Sequence, residues 1–208
     1  MNLDWIIENF GYEFTLFNVG CAGLHCELVP LKKKAPKSKL YGFECNNFWL
    51  WDNIEFSYTF GIYYFHIGIS SIEIEKYFRH KILPDSTEED AYSGTFYQSL
   101  SSSRVYKDGN LVKMTRLDTI CRSFDLSIDF LWIDAEGSEY EIIESLGDYR
   151  PKAIWAEIHG FGLYDNGKSF LDFEKKLESL GYERLYKNDA DALYGRKNLS
   201  FTPYQHVD

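Results

Sequence analysis

The sequence lacks several features that would place a protein at once. It has no surplus of positive charge: 22 Lys and Arg stand against 32 Asp and Glu, for a net charge of −10. Phosphate binding relies on basic surface, so nucleic acid is not expected as a partner. The basic cluster Lys32-Lys33-Lys34, with Lys37 and Lys39 nearby, reads as a solvated helix end and loop. There is no Cys-x-x-Cys pair among Cys21, Cys26, Cys45 and Cys121, so reduced thiols are expected. The start, Met-Asn-Leu-Asp-Trp, has no charged segment leading into an apolar one. No apolar run reaches the about 18 residues of a membrane span. The expectation is a cytoplasmic protein with no membrane partner. No internal repeat and no second core are evident. A Gly-x-Gly-x-x-Gly turn is also missing, which sets aside a nicotinamide oxidoreductase.

What is present suits one domain over residues 1–208, since domains typically run about 100–200 residues. Hydrophobic residues make up 45%, enough for a sizeable core. The 16 Tyr and 16 Phe imply bulky packing and, for some, a pocket lining. Leu3 to Phe10 reads as a short helix closed by Gly11, within an N-terminal segment of residues 1–12. Phe14 to Val19 is the first strand. The turn Gly20-Cys21-Ala22-Gly23 follows, then a short helix from Leu24 to Val29 that Pro30 is expected to end. A glycine turn allows close backbone approach to a ligand. Leu40 to Glu44 is a second strand ending in an acid, about 24 residues beyond Gly20. An acid there can accept hydrogen bonds from ribose hydroxyls. Phe48 to Ile54 is a helix with Asn46 as its cap.

Ile62 to Ile69 reads as a third strand, running into Ser70. Ile72 to Phe78 alternates like an extra edge strand. Residues 84–104 are polar and irregular, the pattern of a mobile loop covering a site or of plain disorder. Lys107-Asp108-Gly109-Asn110 between apolar residues signals a hairpin within Val105 to Met114. Leu117 to Phe124 is a helix. Ala153 to Ile158 is a strand, and Ser169 to Leu180 a helix ending at Gly181. Tyr182 to Tyr186 and Ala192 to Gly195 form a late antiparallel pair. This alternation predicts an α/β fold with a largely parallel sheet.

The chain is organised around Ile128 to Leu146. Ile128 to Ile133 is a buried strand by its continuous apolar run. Tyr140, Ile143 and Leu146 recur at helical spacing among Glu139, Glu141 and Glu144. Ser138 and Glu141 have the spacing of a capping box. Between strand and helix lies Asp134-Ala135-Glu136-Gly137, two acids where open α/β sheets bind ligands. His159 titrates nearest neutral pH.

The opening Leu117-Asp118, the turn Ile-Asp-x-Glu-Gly-x-Glu at 133–139, and Glu157-Ile158-His159 occur in one order. Together they resemble the FkbM family of S-adenosylmethionine-dependent methyltransferases, over about Phe14 to Arg196. The resemblance implies a Rossmann-like domain: a mostly parallel seven-stranded sheet in order 3-2-1-4-5-7-6, with helices on both faces, an order that would gather Asp134, Glu136, Glu157 and His159 at one sheet edge beside Gly20. It implies O-methylation of a sugar or small-molecule hydroxyl. It implies cofactor contacts at Asn18, Gly20, Cys21, Ala22, Gly23, Glu44, Cys45, Asn46, Gly68, Ile69, Ser70 and Asp134. Candidate catalytic residues are His159, Asp134 and Glu136, one of them removing the acceptor's proton. A divalent Mg or Mn ion suits carboxylates with an imidazole, and is the less favoured expectation. The glycine turn departs from the family's Asp-Val-Gly-Ala-Asn-x-Gly. Asn18 replaces the Asp, Ala22 the Asn, and Leu24 stands where the second glycine belongs. The alternative is therefore a non-catalytic binding or assembly module of the same fold.

Overall fold

A computed structural model describes residues 1–82, 89–97, 105–158, 161 and 168–205. The main sheet has seven strands. They are β1 (Thr15–Val19), β2 (Lys39–Glu44), β3 (Tyr63–His66), β8 (Phe130–Ile133), β9 (Ala153–Glu157), β10 (Tyr182–Lys187) and β11 (Asp191–Arg196). The order is β3-β2-β1-β8-β9-β11-β10, the 3-2-1-4-5-7-6 arrangement. β11 runs antiparallel to both β9 and β10, and the other pairs are parallel, so the sheet is mixed.

Two helix layers cover this sheet. On one face lie α1 (Leu3–Phe10), α2 (Leu28–Lys34) and α3 (Leu50–Phe60). On the other lie α4 (Leu117–Phe124), α5 (Glu139–Glu144) and α6 (Phe170–Ser179). Alternate residues of β1 and β8 feed the two cores. Phe17, Val19, Leu131 and Ile133 pack with Leu117, Ile142 and Phe173. Leu16, Phe130 and Trp132 pack with Trp5, Leu28 and Leu31. A strand buried on both faces must be apolar throughout, which explains the unbroken run at 130–133.

Several expectations change. Pro30 does not end a helix but sits in the first turn of α2, where its missing N–H needs no partner. The run from Ile62 to Ile69 divides between two sheets. β3 pairs with β2, whereas β4 (Gly68–Ile69) pairs with Met114 and Thr115. Gly68 permits this crossing, because a Cβ there would lie 2.3 Å from the Met114 sulfur.

The second sheet, absent from the sequence expectation, has order β4-β7-β5-β6. Its other strands are β5 (Ile74–Ile82), β6 (Glu89–Thr95) and β7 (Val105–Thr115). Within the stretch read as an edge, Ile74 to Tyr77 of β5 pair with β7 alone, and β6 joins β5 only beyond it, at Arg79 to Ile82. β6 occupies part of the stretch read as a mobile loop, of which residues 84–88 and 98–104 lie outside the described residues. The hairpin read at Lys107–Asn110 is a bulge in one long strand. Between the pairs Tyr77–Leu111 and Arg79–Asp108, β7 spends one residue more than β5. Gly109 lies against His80, with no room for a Cβ. Phe78, Phe96, Val112 and Met114 form a small further core beneath this sheet. Among the described residues, no helix is long and apolar enough to cross a membrane.

Phe17 has no exposed surface, and its ring centroid lies 4.8 Å from that of Tyr41 and 5.2 Å from that of Phe43. Phe17→Ala is expected to lower the unfolding free energy by about 3–5 kcal/mol in urea denaturation. A loss below about 1 kcal/mol would contradict its place at the centre of the core.

Candidate active site

The site begins where β1, β2 and β8 end side by side. Gly20, at φ +80°, turns the chain out of β1. A Cβ on Gly20 would lie 1.7 Å from the Asp134 carbonyl oxygen, so only glycine fits this approach. The backbone N–H groups of Gly20 and Cys21 both donate to the Phe43 carbonyl, at 2.9 and 3.3 Å. The N–H of Asp134 donates to the Val19 carbonyl at 2.9 Å. The three strand ends are laced to one another without side chains.

The glycine turn is then held from above. Asn53 of α3, wholly buried, donates to the Ala22 carbonyl at 2.7 Å and accepts from Leu24 N–H at 2.8 Å. The Glu44 carboxylate accepts from the N–H groups of Ala22, Cys45 and Asn46 at 2.8, 2.8 and 2.6 Å. The Cys45 thiol also bonds to it. Burial pushes the Glu44 carboxyl up, and the backbone donors pull it back. Ala22 sits at φ +42°, a left-handed position that Asn tolerates better than Ala. Asn46 accepts from Phe48 N–H at 3.0 Å, the cap expected there.

The acidic turn is built differently from its expected capping box. Ser138 caps α5 without a side-chain bond. The Glu139 carboxylate instead accepts from the N–H groups of Ala135 and Gly137 at 3.2 and 3.1 Å. Burial pushes Glu139 up to about 8, and these turn N–H groups oppose the rise. Glu141 meets Tyr97, which follows β6. Glu136 adopts φ +46°, and its carbonyl accepts from the Thr95 hydroxyl at 2.7 Å. The second sheet is thereby fastened to the acidic turn. Glu157 lies beside this turn. Burial first, then the charges of Asp134 and Glu136 and a hydrogen bond to Asp134, hold its carboxyl well above the usual range. These causes favour the protonated form of Glu157, which can donate to Asp134.

These elements enclose a cavity of about 210 Å³. Gly20, Cys21, Ala22, Glu44, Cys45 and Asn46 open into it from the first two strand ends. Asp134 and Glu136 form the opposite side, and Gly68 and Ile69 a third. Gly20 and Glu44 therefore face one cavity. Three expected contacts stand apart from its lining. Asn18 lies beneath it, wholly buried. The Cα of Gly23 is turned to the His25 ring, and Ser70 N–H pairs with the Thr115 carbonyl. His159 lies outside the described residues.

Sequence reasoning missed Phe78, Gly94 and Phe96, which roof the cavity from the second sheet, and Cys26, Glu27 and Trp49 in its wall. The roof carries no local signal, because long-range pairing of β5 with β6 creates it. For Glu27 a signal exists: one carboxylate alone in the stretch Leu24 to Leu31. Among the described residues, no group of three or more His, Cys, Asp or Glu is arranged to hold a metal ion.

A seven-stranded sheet in this order, with a glycine turn after β1 and an acid ending β2, defines a methyltransferase-like α/β domain. Residues 6–184 match the methyltransferase FkbM domain, and the chain belongs to that family. Its fold is similar to that of the methyltransferase FkbM from Methylobacillus flagellatus KT, with a TM-score of 0.57 and 13% identity. That likeness covers 88% of this chain and 44% of the other, so the chain spans less than half of that relative's length. Fainter likenesses are to a fibrillarin pre-rRNA processing protein from Methanococcus jannaschii and to precorrin-6y C5,15-methyltransferase from Geobacter metallireducens GS-15. The first has a TM-score of 0.49 and 11% identity over 89% of this chain and 66% of that one. The second has 0.49 and 12% over 94% and 84%. Among curated proteins no sequence matches the chain.

The Glu157–Asp134 pair gives the fold a pH dependence. A glutamate in the unfolded chain titrates near 4.5, far below the folded value. Between the two, the folded chain holds a proton that the unfolded chain has released. This contribution is full below about pH 4.5 and is lost as pH rises toward the folded value. Glu139, raised to about 8, adds to the same slope. Urea denaturation is expected to show stability declining from about pH 5 to 9, and less steeply in Glu157→Gln. Equal slopes in the two proteins would contradict the raised Glu157 carboxyl.

Proposed function

We propose that the chain is an S-adenosylmethionine-dependent methyltransferase acting on a hydroxyl of a sugar or another small molecule. One observation carries this reading. The glycine turn and Glu44 share a cavity with Asp134 and Glu136. Its acidic sides and aromatic roof fit a cationic nucleoside better than a phosphate ligand. When bound, S-adenosylmethionine supplies a methyl group on a positively charged sulfur, an electrophile that needs alignment more than activation.

In this reading the turn Gly20–Ala22, which lines the cavity, receives the amino-acid end of the cofactor. Glu44 and Asn46 face the sugar. A sugar hydroxyl replaces one of the donors now on Glu44, and the Cys45 thiol, the weakest of them, gives way. Ile69, Phe78 and Phe96 enclose the base and exclude water. Asp134 and Glu136 lie on the acceptor's side, where a carboxylate takes the hydroxyl proton. The proton on Glu157 lets Asp134 stay ionised among its neighbours. His159, two residues beyond Glu157, remains the candidate base that titrates nearest neutral pH.

The second reading, a non-catalytic module, draws on Asn18 and on a Glu44 carboxylate occupied by the chain's own donors. Calorimetric titration with S-adenosylmethionine and its demethylated product separates the two. Binding is expected with Kd within about 1 µM–1 mM. Glu136→Gln is expected to keep that affinity and to slow transfer to hydroxylated acceptors by about 10²–10⁴-fold. Absence of binding at millimolar ligand would favour the non-catalytic module.

A further inference from the structure

We propose that Glu27 carries the negative charge that β1 lacks, and that its carboxylate faces the ammonium group of the cofactor's amino-acid end. This rests on the function proposed above and assigns a residue that the family pattern does not mark.

Position 18 holds an amide where the FkbM pattern has a carboxylate. Asn18 has no exposed surface and lies in register between Gly42 of β2 and Trp132 of β8. Its Nδ2 donates to Glu27 Oε2 at 2.6 Å. This is a charge-assisted bond, the stronger kind. Glu27 itself lies between the glycine turn and α2, and lines the same cavity as Gly20.

The amide and the carboxylate are matched to each other. An aspartate at 18 would set two carboxylates within hydrogen-bond distance, which both could not occupy while ionised. Asn18 Oδ1 has no partner among the described residues, although it is buried. Leaving an acceptor unpaired is costly, so the amide is oriented by the carboxylate it serves. The acid has therefore moved from the strand to the following loop, and the site keeps one negative charge at this end.

Glu27 is also poised to titrate. Burial raises it to about 7, the Asn18 bond and the N-terminal ammonium oppose the rise, and Asp134 and Asp191 add to it. The Cys21 and Cys26 thiols face it as well. Affinity for a ligand carrying an ammonium should then be weaker at pH 6 than at pH 8, because the protonated carboxyl attracts it less.

The test is calorimetric titration of the full chain with S-adenosylmethionine, S-adenosylhomocysteine and adenosine. Thermal unfolding checks that each variant folds. Glu27→Gln is expected to weaken both amino-acid-bearing ligands by about 10–100-fold and to leave adenosine unchanged. The pH dependence between 6 and 8 should vanish with it. The double variant Asn18→Asp with Glu27→Gln, which moves the charge back to β1, should regain most of the affinity. Wild-type affinity in Glu27→Gln, an equal loss for adenosine, or no recovery in the double variant would each overturn the assignment. If wild type binds and Glu27→Gln binds equally well, this assignment alone fails. If wild type binds none of the three, the methyltransferase reading fails with it.

Discussion

The contact between the Gly20 Cα and the Asp134 carbonyl is the constraint on which the rest of the structure depends. It brings the ends of β1 and β8 together at backbone distance and leaves no space for a side chain. The chain turns one way from β1 to β2 and the other way to β8, so the loops beyond this contact diverge. A crevice must open there, at the point where strand order reverses. The bonds from Gly20, Cys21 and Asp134 fix its floor without any side chain. Asn53 and Glu44 then hold the glycine turn in one conformation. Such a site is built before a ligand arrives, so less ordering is needed on binding.

The second constraint is electrostatic. Glu27, Glu44, Asp134, Glu136, Glu139 and Glu157 crowd around one sheet edge. Each conspicuous case is answered locally. Glu44 is bonded by three N–H groups, Glu139 by two, and Glu27 by the Asn18 amide. Burial and its acidic neighbours favour the protonated form of Glu157. What remains is a negative site in a protein of net charge −10, which favours a cation over an anion. The roof has the opposite character. Phe78 and Phe96 stand over the acids, and the Thr95 hydroxyl ties their strand to the acidic turn. A charged floor under an apolar roof suits a ligand with a cationic end and a flat base.

The main sheet was legible because its strands are short apolar runs between glycines and polar turns. Leu117 to Phe124 and Leu3 to Phe10 form as helices with the expected bounds. The second sheet was not legible. The start of β5 alternates apolar and charged residues, so Ile72 to Phe78 resembles an edge, and β6, Glu-Asp-Ala-Tyr-Ser-Gly-Thr, has the composition of a loop. Asp108-Gly109-Asn110 has the composition of a turn, yet Gly109 is there because His80 needs the space. Among site residues, Gly20, Glu44, Asp134 and Glu136 follow from local rules at strand ends. Phe78 and Phe96 do not, because tertiary pairing alone brings them to the cavity, and Glu27 is marked only as a lone carboxylate in an apolar stretch after the glycine turn. The capping box at Ser138 failed since Glu139, the nearer acid, reaches the turn N–H groups directly.

The most direct test of the central claim is a crystal structure of the chain with S-adenosylhomocysteine. The account expects the ligand in the cavity between Gly20 and Glu44, its amino-acid end at the glycine turn and its base under Phe78 and Phe96. A ligand bound elsewhere, or lying in the cavity with its base at Gly20, would contradict it.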